Sequence, residues 1–169
     1  MSGGVVCRTA IIASLLGVLA VSAAAQAQPN AQPAKLSASA IRIEPVETDD
    51  ILIPAEFRYA IYEHVIERLR QGGTFQKVIR SGDHSGDGIA DLVTLHMKVA
   101  GFKEGNRTVR ELTTVLGSTT IDIDTTVVGH DGHTMLEKSI TGKVRFRGDN
   151  IGATNDLAKH ITKVLRESF

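Results

Sequence analysis

Three aspartates at four-residue intervals carry most of the chemistry this chain could do: Ser81-Gly82-Asp83-His84-Ser85-Gly86-Asp87-Gly88-Ile89-Ala90-Asp91-Leu92-Val93. Written as Asp83-x-Ser85-x-Asp87-Gly88-Ile89-x-Asp91, the stretch places side-chain oxygens at loop positions 1, 3, 5 and 9. Glycine stands at 6 and the Ile89 carbonyl at 7, which is the spacing of a Ca²⁺ loop. Calcium takes roughly six to eight oxygens at once, and alternate residues of a tight loop can all point inward. The glutamate that usually closes such a loop is replaced by Thr94, and a strand pattern follows instead of a helix. The competing reading is a solvated Gly/Asp/Ser turn in which Asp91 caps turn amides and starts a strand.

A second candidate is His130-Asp131-Gly132-His133, where two imidazoles and a carboxylate could ligate a transition metal. The same Asp-Gly also explains the segment as a tight hairpin turn. His64 on a helix and His96 on a wet strand face read as surface residues. Asp122 and Asp124 share one strand face, where an open carboxylate pair is usually solvated. No Gly-x-Ser-x-Gly elbow, Cys/His pair or phosphate loop occurs, so no catalytic or cofactor-binding residue is expected and the chain does not read as an enzyme.

The elements that must position these groups follow from periodicity. Ile41-Arg42-Ile43-Glu44 alternates as a first strand ended near Pro45. Pro54 suits a first helical position, Phe57, Ile61, Val65 and Leu69 recur every four residues, and Gly72-Gly73 closes the helix. Phe75 to Arg80 begins a strand. Leu92 to Phe102 is a long one, with Val93, Leu95, Met97 and Val99 facing a core and Thr94, His96 and Lys98 facing water. Arg107 to Ser118 fits a loop or an irregular strand. Thr119 to Val128 and Leu136 to Arg147 are strands, the latter with Leu136, Ile140, Val144 and Phe146 on one face. Leu157, Ala158, Ile161, Val164 and Leu165 mark a closing amphipathic helix with Lys159, Lys163 and Arg166 outward. The expected fold is α/β (α+β): a single mixed, mostly antiparallel sheet of about five strands with two helices on one face. The other face would carry Thr94, His96, Lys98, Asp122, Asp124, Lys143, Arg145 and Arg147.

At the amino terminus, Arg8, an apolar block from Ala10 to Val21 and small residues before Ala25 and Ala27 read as a signal peptide over 1–27, cleaved after either alanine. The block is shorter than the ~20 residues a bilayer span needs. Cys7, the sole cysteine, precedes the block, where it could not receive a lipid after cleavage. Export to the periplasm or beyond is therefore expected, with no transmembrane segment in the mature chain. Residues 28–39, rich in Gln, Pro, Ala and Ser, read as a disordered leader, and 40–169 as one domain held by core packing without disulfides. Basic and acidic residues balance, 19 Lys and Arg against 19 Asp and Glu, and tryptophan is absent. That argues against nucleic acid and, more weakly, against carbohydrate as a partner.

From Pro54 onward the chain resembles a family of bacterial envelope domains of unknown function, many of them lipoprotein-like. The matching features are the Pro54-to-Leu69 helix, Gly73-Thr74-Phe75-Gln76-Lys77-Val78, Ala90-Asp91-Leu92-Val93 opening a long strand, Phe102 before a glycine turn, and the closing helix. The element order is also similar to the amino-terminal domain of TolB and to the curli-secretion lipoprotein domain. The Asp83–Asp91 stretch looks like the calcium loop of β-propeller repeats, in a single copy. The resemblance implies an envelope location and this fold. With the missing catalytic motifs it leads to an expected exported, non-catalytic binding or assembly module with an envelope protein as partner. The alternative is a Ca²⁺-binding exported protein using Asp83, Ser85, Asp87, Ile89 and Asp91, and a metal site at His130 and His133 is a third reading.

Overall fold

Ala40, Ile41 and Ile43 are buried whichever way they face, so the strand they form, Ala40–Ile43 (β1), must be covered on both sides. The computed structural model, which describes residues 35–106, 108–109, 117–144 and 149–169, puts this strand between two parallel neighbours. Lys77–Arg80 (β2) lies on one side and Leu92–Lys103 (β3) on the other, with Ile41 beside both Val78 and Val93. Thr119–Val128 (β4) and Thr134–Val144 (β5) then add antiparallel strands, giving the order β2-β1-β3-β4-β5. The result is the expected five-stranded mixed sheet, with most of its length in antiparallel pairs. Beyond Pro45 the chain keeps following β3, since Glu47 N–H donates to Met97 O at 2.9 Å and Val99 N–H to Glu47 O at 2.9 Å.

Ala55–Gly72 (α1) and Gly152–Ser168 (α2) both lie on one face, over Ile41, Ile43, Val93, Leu95, Met97, Ile121 and Ile123. Phe57, Ile61, Val65 and Leu69 are buried as the four-residue spacing requires, and Ile66 joins them. Pro54 occupies the cap position, one residue before the helix, and Gly73 ends it at φ 63°. The closing helix begins a turn before Leu157. Thr154, buried there, donates its hydroxyl to Ile151 O at 2.6 Å and accepts from His64 Nδ1 at 2.9 Å. His64 is therefore an interhelix contact and not the surface residue its polarity suggested. Arg68 reinforces the pair, donating to Asn155 Oδ1 at 2.8 and 3.1 Å.

β2 and β3 run parallel on opposite sides of β1, so the chain between them must cross β1. Residues 81–91 do so on the face away from the helices. Gly86 sits against Ile79, Arg42 and Leu92, and Ile89 packs on a second small cluster of Ala40, Ile79 and Leu92. This crossover covers the β2–β1 end of the second face, and no described element covers the β3–β5 end, where the polar residues named from the sequence lie.

The leader expected over 28–39 also differs at its inner end. Leu36 N–H donates to Ser168 O at 2.8 Å, and Ser39 O accepts from Gln76 N–H at 2.8 Å, so the chain is tied in before β1 begins. The signal peptide, the leader up to residue 34, most of Arg107–Ser118, and Arg145, Phe146 and Arg147 lie outside the described residues. No helix among the described residues is long and apolar enough to cross a membrane.

Candidate functional site

The aspartate stretch is built as the crossover demands. Asp83 caps a short 3-10 turn, His84–Gly86, by accepting from Ser85 N–H at 2.8 Å, and that bond holds its carboxyl below the usual carboxylate range. Asp87 accepts from His84 Nδ1 at 3.0 Å and from Arg42 Nη2 at 3.1 Å, which lower its pKa in that order. Asp91 accepts from the Ser39 hydroxyl at 2.5 Å and Ser39 N–H at 2.8 Å, again with a lowered pKa. Gly82 and Gly88 hold positive φ at 77° and 90°, which turns the chain sharply at each end of the segment.

These carboxylates serve three separate anchors. Asp91 fixes the entry to β1, Asp87 receives a guanidinium reaching through from β1, and Asp83 serves its own turn. The Ser85 carbonyl accepts from Lys77 Nζ, the Ile89 carbonyl accepts from Leu92 N–H at 3.3 Å, and the Asp83 carbonyl accepts from Arg42 Nη2 at 3.4 Å. Among the described residues, no group of three or more His, Cys, Asp and Glu side chains gathers where it could hold a metal ion. The carboxylates of Asp83, Asp87 and Asp91 and the carbonyls of Ser85 and Ile89 thus have protein donors as partners, and two cations, Arg42 and Lys77, offset part of the loop's charge. Calcium would have to displace Arg42 to enter. Differential scanning fluorimetry with millimolar CaCl₂ is expected to leave the melting temperature unchanged within about 1 °C. A calcium-specific rise that magnesium does not reproduce would show that the loop rearranges around the ion.

His130 and His133 are exposed on the β4–β5 hairpin. Gly132 takes φ 82°, its N–H donates to Gly129 O at 3.0 Å, and Asp131 accepts from His133 N–H at 3.1 Å. Asp131 is used by the turn itself, and no third ligand joins the two histidines among the described residues.

Among the described residues, none of the elements covers the face of β3, β4 and β5 opposite the helices. Register places His96 beside Thr126, Lys98 beside Asp124 and Gly101 beside Asp122, with Thr126 next to Glu137, Asp124 next to Ser139 and Asp122 next to Thr141. Asp122 leans over Gly101, where a β-carbon would lie 2.8 Å from its Oδ2, and accepts from the Thr141 hydroxyl at 2.5 Å. Lys98 pairs with Asp49, which raises its pKa. The expected polar residues Thr94, His96, Lys98, Asp122, Asp124 and Lys143 do share this face.

A cleft that periodicity did not single out lies where β1 and β2 end. Its volume is about 460 Å³, and Pro45, Val46, Arg58, Tyr59, Tyr62 and Ser81 are among the residues that line it. On α1 these positions lie beside the apolar stripe, so a helical reading assigns them to solvent. The available signal was the pair of tyrosines, Tyr59 and Tyr62, in an aromatic-poor chain.

Comparison with known proteins finds likeness in structure alone. No family model matches the chain, and no curated protein is similar to it in sequence. The fold is similar to that of PelC from Paraburkholderia phytofirmans, a dodecamer, at 12% identity over 78% of this chain and 88% of PelC, with a TM-score of 0.56. A variant of that protein, also a dodecamer, matches at 14% identity over 80% and 92% of the two chains, TM-score 0.55. An uncharacterised protein matches at 13% identity over 79% of this chain and 95% of its own, TM-score 0.51. At these identities the likeness is one of fold.

Proposed function

We propose that this chain is an exported, non-catalytic assembly module of the bacterial cell envelope that associates with further copies of itself through the open face of β3, β4 and β5. The observation that carries this reading is the face itself: both signs of charge sit in neighbouring rows, Lys98 and Lys143 against Asp122, Asp124 and Glu137, and neither helix reaches it. A surface carrying both signs can complement a second copy, whereas a single-sign surface repels it. The strand edge is a poorer place to associate. α2 already caps one end of β5, with Asp156 accepting from Lys143 N–H at 3.0 Å and His160 Nδ1 donating to Thr141 O at 2.9 Å. Further along, Lys138 stands beside the buried Thr125 on the helix side of the strand, and an exposed lysine on an edge strand deters edge pairing. The dodecameric state of PelC, a protein of this fold, supports self-association, and the signal-peptide pattern supports export.

Native mass spectrometry and sedimentation velocity on the full chain, across a micromolar concentration series at low and high salt, test the reading. Oligomers that weaken at high salt are expected, because exposed charge pairs are screened. Asp124→Lys places a third positive charge near Lys98 and Lys143 and is expected to weaken association about tenfold. A chain that stays monomeric throughout, or an Asp124→Lys variant that assembles as well as the parent, would sink it.

A further inference from the structure

The structure assigns the cleft beside α1 to a small organic carboxylate that carries a ring, and this assignment stands independently of the assembly face. Its argument is a count of donors and acceptors. Arg58 lies in the first turn of α1 and lines the cleft, and no carboxylate is paired with it among the described residues; its Nε is unpartnered but closed to solvent, so a ligand in the cleft would meet the other nitrogens of the guanidinium. An arginine is always charged and presents its donors as a planar fork, so it fits a carboxylate two bonds at a time.

The acidic residues nearby are already committed elsewhere. Glu63, on the cleft wall, receives Arg80 Nη1 and Nη2 at 2.6 Å on each of its two oxygens, and the pairing lowers its pKa. Glu44 accepts from the Ser81 hydroxyl at 2.5 Å. Tyr62 accepts from Ser81 N–H at 3.1 Å through its phenol oxygen, which leaves its own O–H to donate. Tyr59 is 72% exposed and its hydroxyl has no partner among the described residues. Arg58 is thus a cation on this wall with no carboxylate paired to it among the described residues, and together with the two tyrosine hydroxyls it offers donors to an acceptor-rich anion.

The walls specify the rest of the ligand. Pro45, the buried Val46 and the Tyr59 ring are apolar surfaces that a bare ion would leave unused. One face of Tyr62 is occupied, with Arg80 Cζ 5.7 Å from its ring centre, so Tyr59 supplies the free stacking face. A volume of about 460 Å³ falls inside the range of small-molecule sites and holds a single ring with its carboxylate. The place is also apt. β1 and β2 are adjacent parallel strands, and ligands of α/β sheets gather outside the carboxyl ends of such strands.

The ring could be a sugar or an aromatic, and the experiment separates the two sources. Amide-shift NMR titrations of the full chain use D-glucuronate and phenylacetate as probes, with methyl glucoside and phenylacetamide as neutral counterparts. Saturable shifts at Tyr59, Tyr62, Ser81 and Gly82 are expected with at least one carboxylate, about tenfold tighter than with its neutral counterpart. Which of the two carboxylates binds names the source. Arg58→Met is expected to weaken binding at least tenfold, and Tyr59→Ala, at an exposed site that cannot unfold the chain, several-fold. No saturable shift with either acid, equal binding of the neutral compounds, or undiminished binding by both variants overturns the assignment.

Discussion

Gly142→Val is expected to cost about 3 kcal/mol or more of stability and to lower the melting temperature by roughly 10 °C. Gly142 lies on β5 opposite Ile121, on the side that α2 covers. A β-carbon there would stand 2.4 Å from the β-carbon of Leu157, 2.5 Å from the Ala153 carbonyl oxygen and 2.7 Å from the Leu157 nitrogen. Two of those three atoms are helix backbone, which cannot rotate away as a side-chain tip can. The whole of α2 would have to lift from the sheet. That would open the contacts of Ala153, Leu157 and Ile161, all fully buried, and stretch the bonds from Asp156 and His160 that close the β5 edge. A domain of this size has about 5–15 kcal/mol in hand, so such a loss brings it near the threshold of unfolding. Urea denaturation followed by far-UV circular dichroism measures it. An unchanged midpoint would mean that α2 is not seated on β5 as described.

Gly105→Ala is expected to be of similar size, about 3 kcal/mol, for a different reason. Here a β-carbon would fall 2.0 Å from the Gly117 carbonyl oxygen and 2.4 Å from the Ser118 carbonyl carbon, backbone atoms of the strand-entry opposite. The close approach serves a polar hub. Gly105 N–H donates to the Thr119 hydroxyl at 3.0 Å, and that hydroxyl donates to Asn150 Oδ1 at 2.9 Å. The Asn150 amide donates in turn to Gly105 O at 3.1 Å and to Glu104 Oε1 at 2.9 Å. One asparagine thus joins the end of β3, the start of β4 and the approach to α2, with Thr119 fully buried among them. Forcing β3 and β4 apart there strands buried donors and acceptors, at about 1–3 kcal/mol for each one left unpaired. Hydrogen exchange reads the effect locally: the amide of Gly105 should lose protection while those of β1 and α1 keep theirs. Equal protection in variant and parent would sink the prediction.

Gly105 was legible as the glycine of the turn after Phe102, but not as a point of close approach, and nothing near Gly142 marked it as special. Gly142 and Gly105 are required by atoms of residues that lie many positions away, and spacing along a chain carries no information about that distance. The aspartate stretch shows the converse. Its spacing is real, but oxygens at alternate positions are as useful to a turn crossing a strand as to a cation. Arg42, Lys77, His84 and Ser39 supply the partners here, and two of them lie more than 40 residues upstream. His64 likewise changes meaning once Thr154 is opposite it.

By itself the sequence determined the elements and their inward faces. Alternation in β3 and β4 and four-residue recurrence in α1 and α2 report which residues must leave water, and that depends mainly on local backbone period and side-chain polarity. It also pointed to export, through the apolar block and the small residues after it. Only the tertiary structure decided that β1 lies between two parallel strands and that the chain must therefore cross it. That one topological requirement turned the most chemically suggestive stretch into a structural bridge. It left the open β3–β5 face and the Arg58 cleft as the surfaces with chemistry to spare, because a hydrogen bond is satisfied by whatever donor the fold brings near, and sequence order does not say which.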